Sequence, residues 1–230
     1  VNATIRMGTQ EEKLMLFESM LDYRGYELVP STKRGCKGQQ ETRVEQACRN
    51  CTNIKNRQTK ARDAALENIE RIIKEKNLLE NKILAIKLDT FAADRNLTGL
   101  IANQLMAKYQ RPVLLLNKTA DGWEGSGRGY DKSKFDNLRE FLKESGMIMY
   151  AEGHANALGV GITDEWFNSF IEYSNRELAE FDFTPCYKVD FIFSGSDFRG
   201  MDIVEIAELK SLWGQGVDEP LVAIEHINVY

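Results

Sequence analysis

The sequence predicts an α/β protein, in which a long linking helix leads into a mixed-sheet domain and then into the start of a further β-containing unit. Three observations carry this. From Glu41 to about Lys76 there is no glycine or proline, and the apolar residues recur at spacings of mostly three and four. From residue 81 strand-like and helix-like segments alternate, the pattern of an α/β domain. Beyond residue 183, two short β-like runs flank one helical pattern.

The elements follow in order. QEEKLMLFESML is a short amphipathic segment, and RGYELVPSTKRGCKGQQ is a loop punctuated by glycine, proline and serine. In the long segment, Val44, Ala47, Cys48, Cys51, Ile54, Ala61, Ala65, Ile69, Ile72 and Ile73 form one stripe. At 1.5 Å per residue that helix reaches about 50 Å and suits a strut. Half a coiled coil is the competing reading, although alanine and cysteine replace the leucines of a strong seam.

KILAIKL reads as a strand, and NLTGLIANQLMAKY as a helix with Asn96 or Thr98 as N-cap. RPVLLLNK is a buried strand opened by proline, and DGWEGSGRG a turn and strand. DKSKFDNLREFLKESG is a helix ending at Gly146, and MIMYAEG a strand. EGHANALGVGI reads as a tight glycine-bounded turn with a short helix, and TDEWFNSFIEYSNREL as a further helix. At the end, CYKVDFIFSG and PLVAIEHINVY are strands around the helix MDIVEIAELKSLW. The expected division is 1–80 as a helical linker, 81–182 as the α/β domain and 183–230 as a partial C-terminal β-containing segment.

With 230 residues, 43% of them apolar, the chain can bury a real core. A formal charge of −5 excludes a broadly basic surface, so any nucleic-acid contact is a local cationic site. Four cysteines are too few for a disulfide scaffold, and the composition suggests the cytoplasm. Cys48 and Cys51 form a single C-x-x-C pair with no second pair, and His154 and His226 lie far from it. Two thiols on a helix are expected there, not zinc. No apolar run is long enough to span a membrane. The start VNATIRMGTQEEK lacks both the apolar core of a signal peptide and an initiator methionine, so a fragment of a longer protein is expected.

One short stretch invites a chemical reading. EGSGRGYD sets Arg128 among glycines. Its planar fork of donors suits a phosphate, and glycine permits close approach. The same string also fits a β-turn whose arginine points into solvent. Ser126 fits either a phosphate contact or a hydrogen bond within its own turn. Trp123 fits base stacking or packing, and Lys132 and Lys134 fit a phosphate track or a solvated helix start.

Three short motifs stand in order: GSGRG, EGHANALG and GQGVDEP, with VNATIRMG and TGLIANQLMAKYQRPVLLL upstream. In this order and at these spacings they resemble the C-terminal half of RecJ-type single-strand-specific exonucleases, of the DHH phosphoesterase superfamily. The resemblance covers essentially the whole chain. It implies a DHH-associated domain leading toward an OB-type unit. Asn2 and Arg6 match the asparagine and arginine of the family's first motif. They would contact the DNA backbone or a preceding domain, or cap a helix. Arg128 matches the arginine of a G-S-x-R element that spans Ser126 and Gly127, and Gly153 and His154 match its partner loop. Departures are Glu152 where the family has glycine, Gly129 where serine is usual, and ADRNLTG before the helix. They suggest a divergent member carried by a phage or prophage.

The resemblance also implies 5′-to-3′ degradation of single-stranded DNA in recombination and repair, with Arg128 and His154 gripping the phosphate. The family binds Mn2+ or Mg2+ through an N-terminal DHH domain. No DHH string occurs here, so no metal ligand is expected in this chain and the chain alone is expected to be inactive. Two alternatives compete: an enzyme of the oligoribonucleotide or nucleotide phosphatase branch, and a non-catalytic nucleic-acid-binding or adaptor module.

Overall fold

The computed structural model describes residues 1–88, 94–214 and 216–227. Gln215 in the GQGVDEP turn, Ala93 in ADRNLTG and residues 228–230 of the last expected strand lie outside the described residues. The chain folds as two compact units, residues 1–131 with 135–183, and residues 132–134 with 184–230.

The first unit opens with α1 (Asn2–Met7) and α2 (Gln10–Ser19), then a small antiparallel pair, β1 (Leu28–Pro30) and β2 (Gln40–Thr42). This pair occupies the stretch expected to be loop. The long helix α3 (Arg43–Glu75) follows. Both α2 and α3 start with a capping box, Thr9 with Glu12 and Thr42 with Glu45, which satisfies otherwise orphaned backbone donors.

Next come β3 (Leu84–Leu88), α4 (Thr98–Tyr109), β4 (Val113–Lys118), β5 (Trp123–Arg128), α5 (Leu138–Glu144), β6 (Tyr150–His154), β7 (Ala157–Ile162) and α6 (Asp164–Glu177). Their sheet runs in the order β3-β4-β5-β7-β6, with β3 and β4 parallel and the other pairs antiparallel. It is a mixed sheet, as the alternation of segments predicts.

Two cores cover its faces. On one face Leu114, Leu116, Trp123, Leu158, Val160 and Ile162 pack against Leu138 and Leu142 of α5 and Phe170 of α6. On the other, Leu84, Ile86, Leu88, Val113 and Leu115 meet Ile101, Ala102 and Leu105 of α4 and Ala65, Ile69 and Ile73 of α3. Strand β4 is apolar on both sides because both sides are covered. Strands β5 and β7 are apolar on one side only; on the second face the start of α4 reaches Ser126 and Arg128 of β5.

Three local expectations are corrected. EGHANALGVGI is the β6–β7 hairpin, with no helix: ALGVGI alternates small and apolar residues at the strand period of two. The helix expected from residue 131 starts only at Leu138, where the Asn137 side chain accepts from the Glu140 N–H; Lys132 and Lys134 precede it and are not its start. Neither Asn96 nor Thr98 is the N-cap of α4. A 3-10 turn over Arg95–Leu97 leads into it, and the Thr98 hydroxyl donates to the Arg95 carbonyl.

The second unit contains β8 (Phe191–Ser194), α7 (Gly200–Glu208) and β9 (Val222–Glu225). The two strands are parallel, joined by a helical crossover. An OB-type start would be antiparallel, so this β-containing segment differs from that expectation.

Candidate nucleic-acid interface

The register of three strands builds the site. Cross-strand partners share a face. Arg128 on β5 pairs with Ala157 on β7, which pairs with His154 on β6. The next row on the same face is Ser126, Gly159 and Glu152, and the one after is Glu124, Gly161 and Tyr150. The middle strand thus contributes only alanine and glycine. The result is a groove with a bare floor, walled by β5 residues on one side and β6 residues on the other. A methyl group added at Gly159 would meet nothing closer than 3.8 Å, so its floor is clear.

Arg128 lies in a strand, not on a loop. Its guanidinium leans toward the start of α4, where a methyl group on Gly99 would lie 2.6 Å from Nη2. Nη1 donates to the Gly127 carbonyl at 2.6 Å, and among the described residues no carboxylate pairs with it. Burial first, and then the like charge of Arg6, make this guanidinium hold its proton less tightly than an ordinary arginine. Arg6, from the far end of the unit's sequence, is thus close enough for its charge to act on Arg128. The Ser126 hydroxyl bonds outside its own turn: its Oγ lies 2.9 Å from Thr98 Oγ1.

Arg6 also lines a cavity of about 280 Å³ with Asn2, Lys55, Gln58 and Leu100. Asn2 makes no side-chain cap of α1. Gln58 is buried, and its Oε1 accepts from Lys55 Nζ at 3.4 Å.

His154 is exposed at the end of β6, two strand spacings or about 10 Å across the sheet from Arg128. No hydrogen bond joins the two residues. Gly153 precedes it with φ +128°, a conformation that side chains resist, and its carbonyl accepts from Arg139 Nη1 at 2.8 Å. Gly127 and Gly153 turn to the apolar face with Leu158 between them, so they serve packing and backbone geometry. The glycines that clear space beside Arg128 are Gly99 and Gly159.

Asn156 staples the hairpin tip. Its backbone carbonyl accepts from Gly129 N–H, its Oδ1 accepts from Leu138 N–H, and its Nδ2 donates to the Asp136 carbonyl. Gly129 has no room for a side chain, because a methyl group there would sit 2.0 Å from Asn156 Oδ1. The serine usual at that position would strike this staple.

Trp123 is packing. It is 7% exposed, its indole N–H donates to Asp164, and Lys87 and Lys118 lie 4.9 and 4.7 Å from its ring centroid. Cys51 is half-buried and Cys48 exposed on α3, and Thr4 Oγ1 donates to Cys51 Sγ at 3.4 Å. Among the described residues no three His, Cys, Asp or Glu side chains converge to hold a metal ion, so they do not fit a two-metal centre. No helix of the described residues is long and apolar enough to cross a membrane.

Sequence reasoning missed Thr98, Gly99, Lys55, Gln58 and the floor of β7. Only the floor carried a signal, the period-two alternation of ALGVGI.

No family model matches the chain. Over its whole length it is 34% identical to a prophage-derived single-strand DNA-specific exonuclease, YorK, of Bacillus subtilis strain 168, and equally to its counterpart in Bacillus phage SPbeta. The chain spans 40% of each of these relatives. It is 25% identical, over 53% of its length, to the single-stranded-DNA-specific exonuclease RecJ of Haemophilus influenzae, covering 22% of that protein. Its fold is similar to two structures of RecJ from Thermus thermophilus. One is in complex with Mn2+ (TM-score 0.59, 18% identity, 97% of this chain and 30% of that one). The other is in complex with Mg2+ (TM-score 0.55, 17% identity, 96% and 31%). Over its whole length the chain is thus similar to part of phage-derived single-strand DNA-specific exonucleases, and over about half of it to part of RecJ.

Proposed function

We propose that this chain is the substrate-holding part of a single-strand-specific 5′-to-3′ exonuclease, gripping one phosphate of the DNA strand with Arg128 and His154. In this reading residues 81–182 hold the phosphate and residues 1–80 link them to a metal-binding part outside this sequence. That part supplies Mn2+ or Mg2+ to activate water, and the whole protein works in the cytoplasm.

The observation that carries the reading is Arg128 itself: a half-buried guanidinium without a carboxylate partner among the described residues, under the like charge of Arg6, at the mouth of a bare-floored groove. A half-buried cation without an anion is poorly compensated, and a phosphate supplies what is missing. Charge that builds on phosphate oxygens during hydrolysis is best stabilised by donors fixed beforehand, and Arg128 offers two parallel N–H groups. His154 shares the row and offers a ring N–H from the opposite wall. Asn2, Arg6, Lys55 and Gln58 extend a polar track for the neighbouring backbone.

The test belongs in the longer protein. Arg128→Ala should lower single-turnover hydrolysis by about tenfold to a thousandfold, the scale for losing one transition-state donor. His154→Ala should do likewise, and the double variant should lose less than the product of the two. Metal affinity and melting temperature should stay near those of the parent. Well-folded variants with parental rates would overturn the assignment.

A further inference from the structure

The groove does not stay cationic along its length. Two rows from Arg128, Glu124 on β5 faces Tyr150 on β6, and Glu152 lies between Tyr150 and His154 on the same wall. Neither carboxylate has a hydrogen bond or ion pair among the described residues. The register puts both on the face of Tyr150, and burial first, then Glu124 and Glu152, push its phenol above its ordinary range. Arg95 acts on the same ring in the opposite sense, and against two carboxylates it leaves this end net negative. The floor between the walls is Gly159 and Gly161. Tyr150 lies over Gly161, where a methyl group would meet its ring at 2.4 Å, so the floor is open at Gly159 and covered at Gly161.

We infer that Glu124 and Glu152 close this end of the groove against a continuing phosphodiester strand, so that only a strand's last nucleoside fits beyond the gripped phosphate. The inference rests on the phosphate reading above. A further phosphate, one nucleotide on from Arg128, would lie against two unpaired carboxylates with the Tyr150 ring over the floor ahead of it. A terminal nucleoside brings no charge there, and its hydroxyl or base N–H groups are donors that a carboxylate accepts. Elsewhere in the same unit, the cavity lined by Arg6, Lys55 and Gln58 presents cations and no carboxylate to a phosphate. Exclusion by like charge at one end is thus a geometric basis for acting at termini.

The test compares binding of one short single-stranded oligonucleotide, linear with a terminal hydroxyl or ligated into a circle, by the full 230-residue chain. The parent should bind the linear form at least about threefold tighter at low salt. Glu124→Gln with Glu152→Gln should erase that preference by raising affinity for the circle. Neutralising the exposed Glu144 and Glu172 of the same unit should keep it. A parent that binds both forms equally, or a double variant that keeps the preference, overturns the inference. Arg128→Ala decides the underlying reading separately. Weaker binding of both forms upholds the phosphate grip even if end closure has failed, and unchanged binding overturns the grip.

Discussion

At the scale of single residues, the position of Arg128 depends on a neighbour with no side chain. Its guanidinium occupies the space where the first carbon of any other residue at position 99 would sit, 2.6 Å from Nη2. The contact is with the far end of a flexible side chain, so the arginine can give way at small cost. Alanine also suits a helix better than glycine, by up to about 1 kcal/mol. Gly99→Ala is therefore expected to leave the melting temperature level or slightly raised while weakening oligonucleotide binding by about threefold to tenfold. A fall in stability with binding intact would show that Gly99 serves packing alone. The arginine was legible in the sequence through its glycine surroundings. Its partners were not, because Gly125 and Gly127, its neighbours in the chain, face the opposite side of the sheet. A strand turns alternate residues away from each other.

At the scale of elements, the start of α3 is held by charge. Glu41, in β2, pairs with Arg49 in the second turn of the helix, accepts from Gln46 Nε2 at 3.0 Å and accepts from the Thr32 backbone N–H at 3.2 Å. The Arg49 guanidinium, the largest cause, together with these hydrogen bonds lowers this carboxyl from 4.5 to about 2. A carboxylate depressed in the folded state gives stability that is complete above its unfolded value and lost as pH falls through its folded one. Unfolding followed from pH 5 to pH 2 should therefore show a declining stability, less steep in Glu41→Gln. Glu12, Glu27 and Glu45 are lowered as well, so the slope should diminish without vanishing. An unchanged slope would mean that the β2–α3 junction does not depend on this pair. Helix α3 itself was plain in the sequence, since Ala65, Ile69 and Ile73 fall on one stripe and all are buried. The β1–β2 pair was hidden, because its three-residue strands are too short to show a period.

At the scale of the molecule, the proposed division of labour predicts binding without chemistry. The 230-residue chain should bind single-stranded oligonucleotides weakly, with affinity falling as salt rises, because phosphate contacts release counterions. It should hydrolyse none with Mn2+ or Mg2+ added. Binding indifferent to salt would count against a phosphate contact. Metal-dependent hydrolysis that survives repurification would place catalytic groups within this chain. The net charge of −5 is compatible with such binding because the cations are local: Arg6 and Lys55 line one cavity, and the charge of Arg6 acts on Arg128, although the whole is acidic.

The sequence by itself determined the fold class, the long helix and the ordered motifs that carry its resemblance to RecJ-type exonucleases, because periodicity and motif order are written locally. Only the tertiary structure decided which residues share a groove. Arg128, Ala157 and His154 form a row through the register of three strands, and that register depends on the β6–β7 hairpin and on two cores packed from distant segments. The charge of Arg6 acts on Arg128 only because the fold brings α1 near the sheet, and nothing adjacent to either arginine in the chain encodes that. The acidic end has the same origin, since Glu124 meets the face of Tyr150 and Glu152 only once β7 lies between their strands.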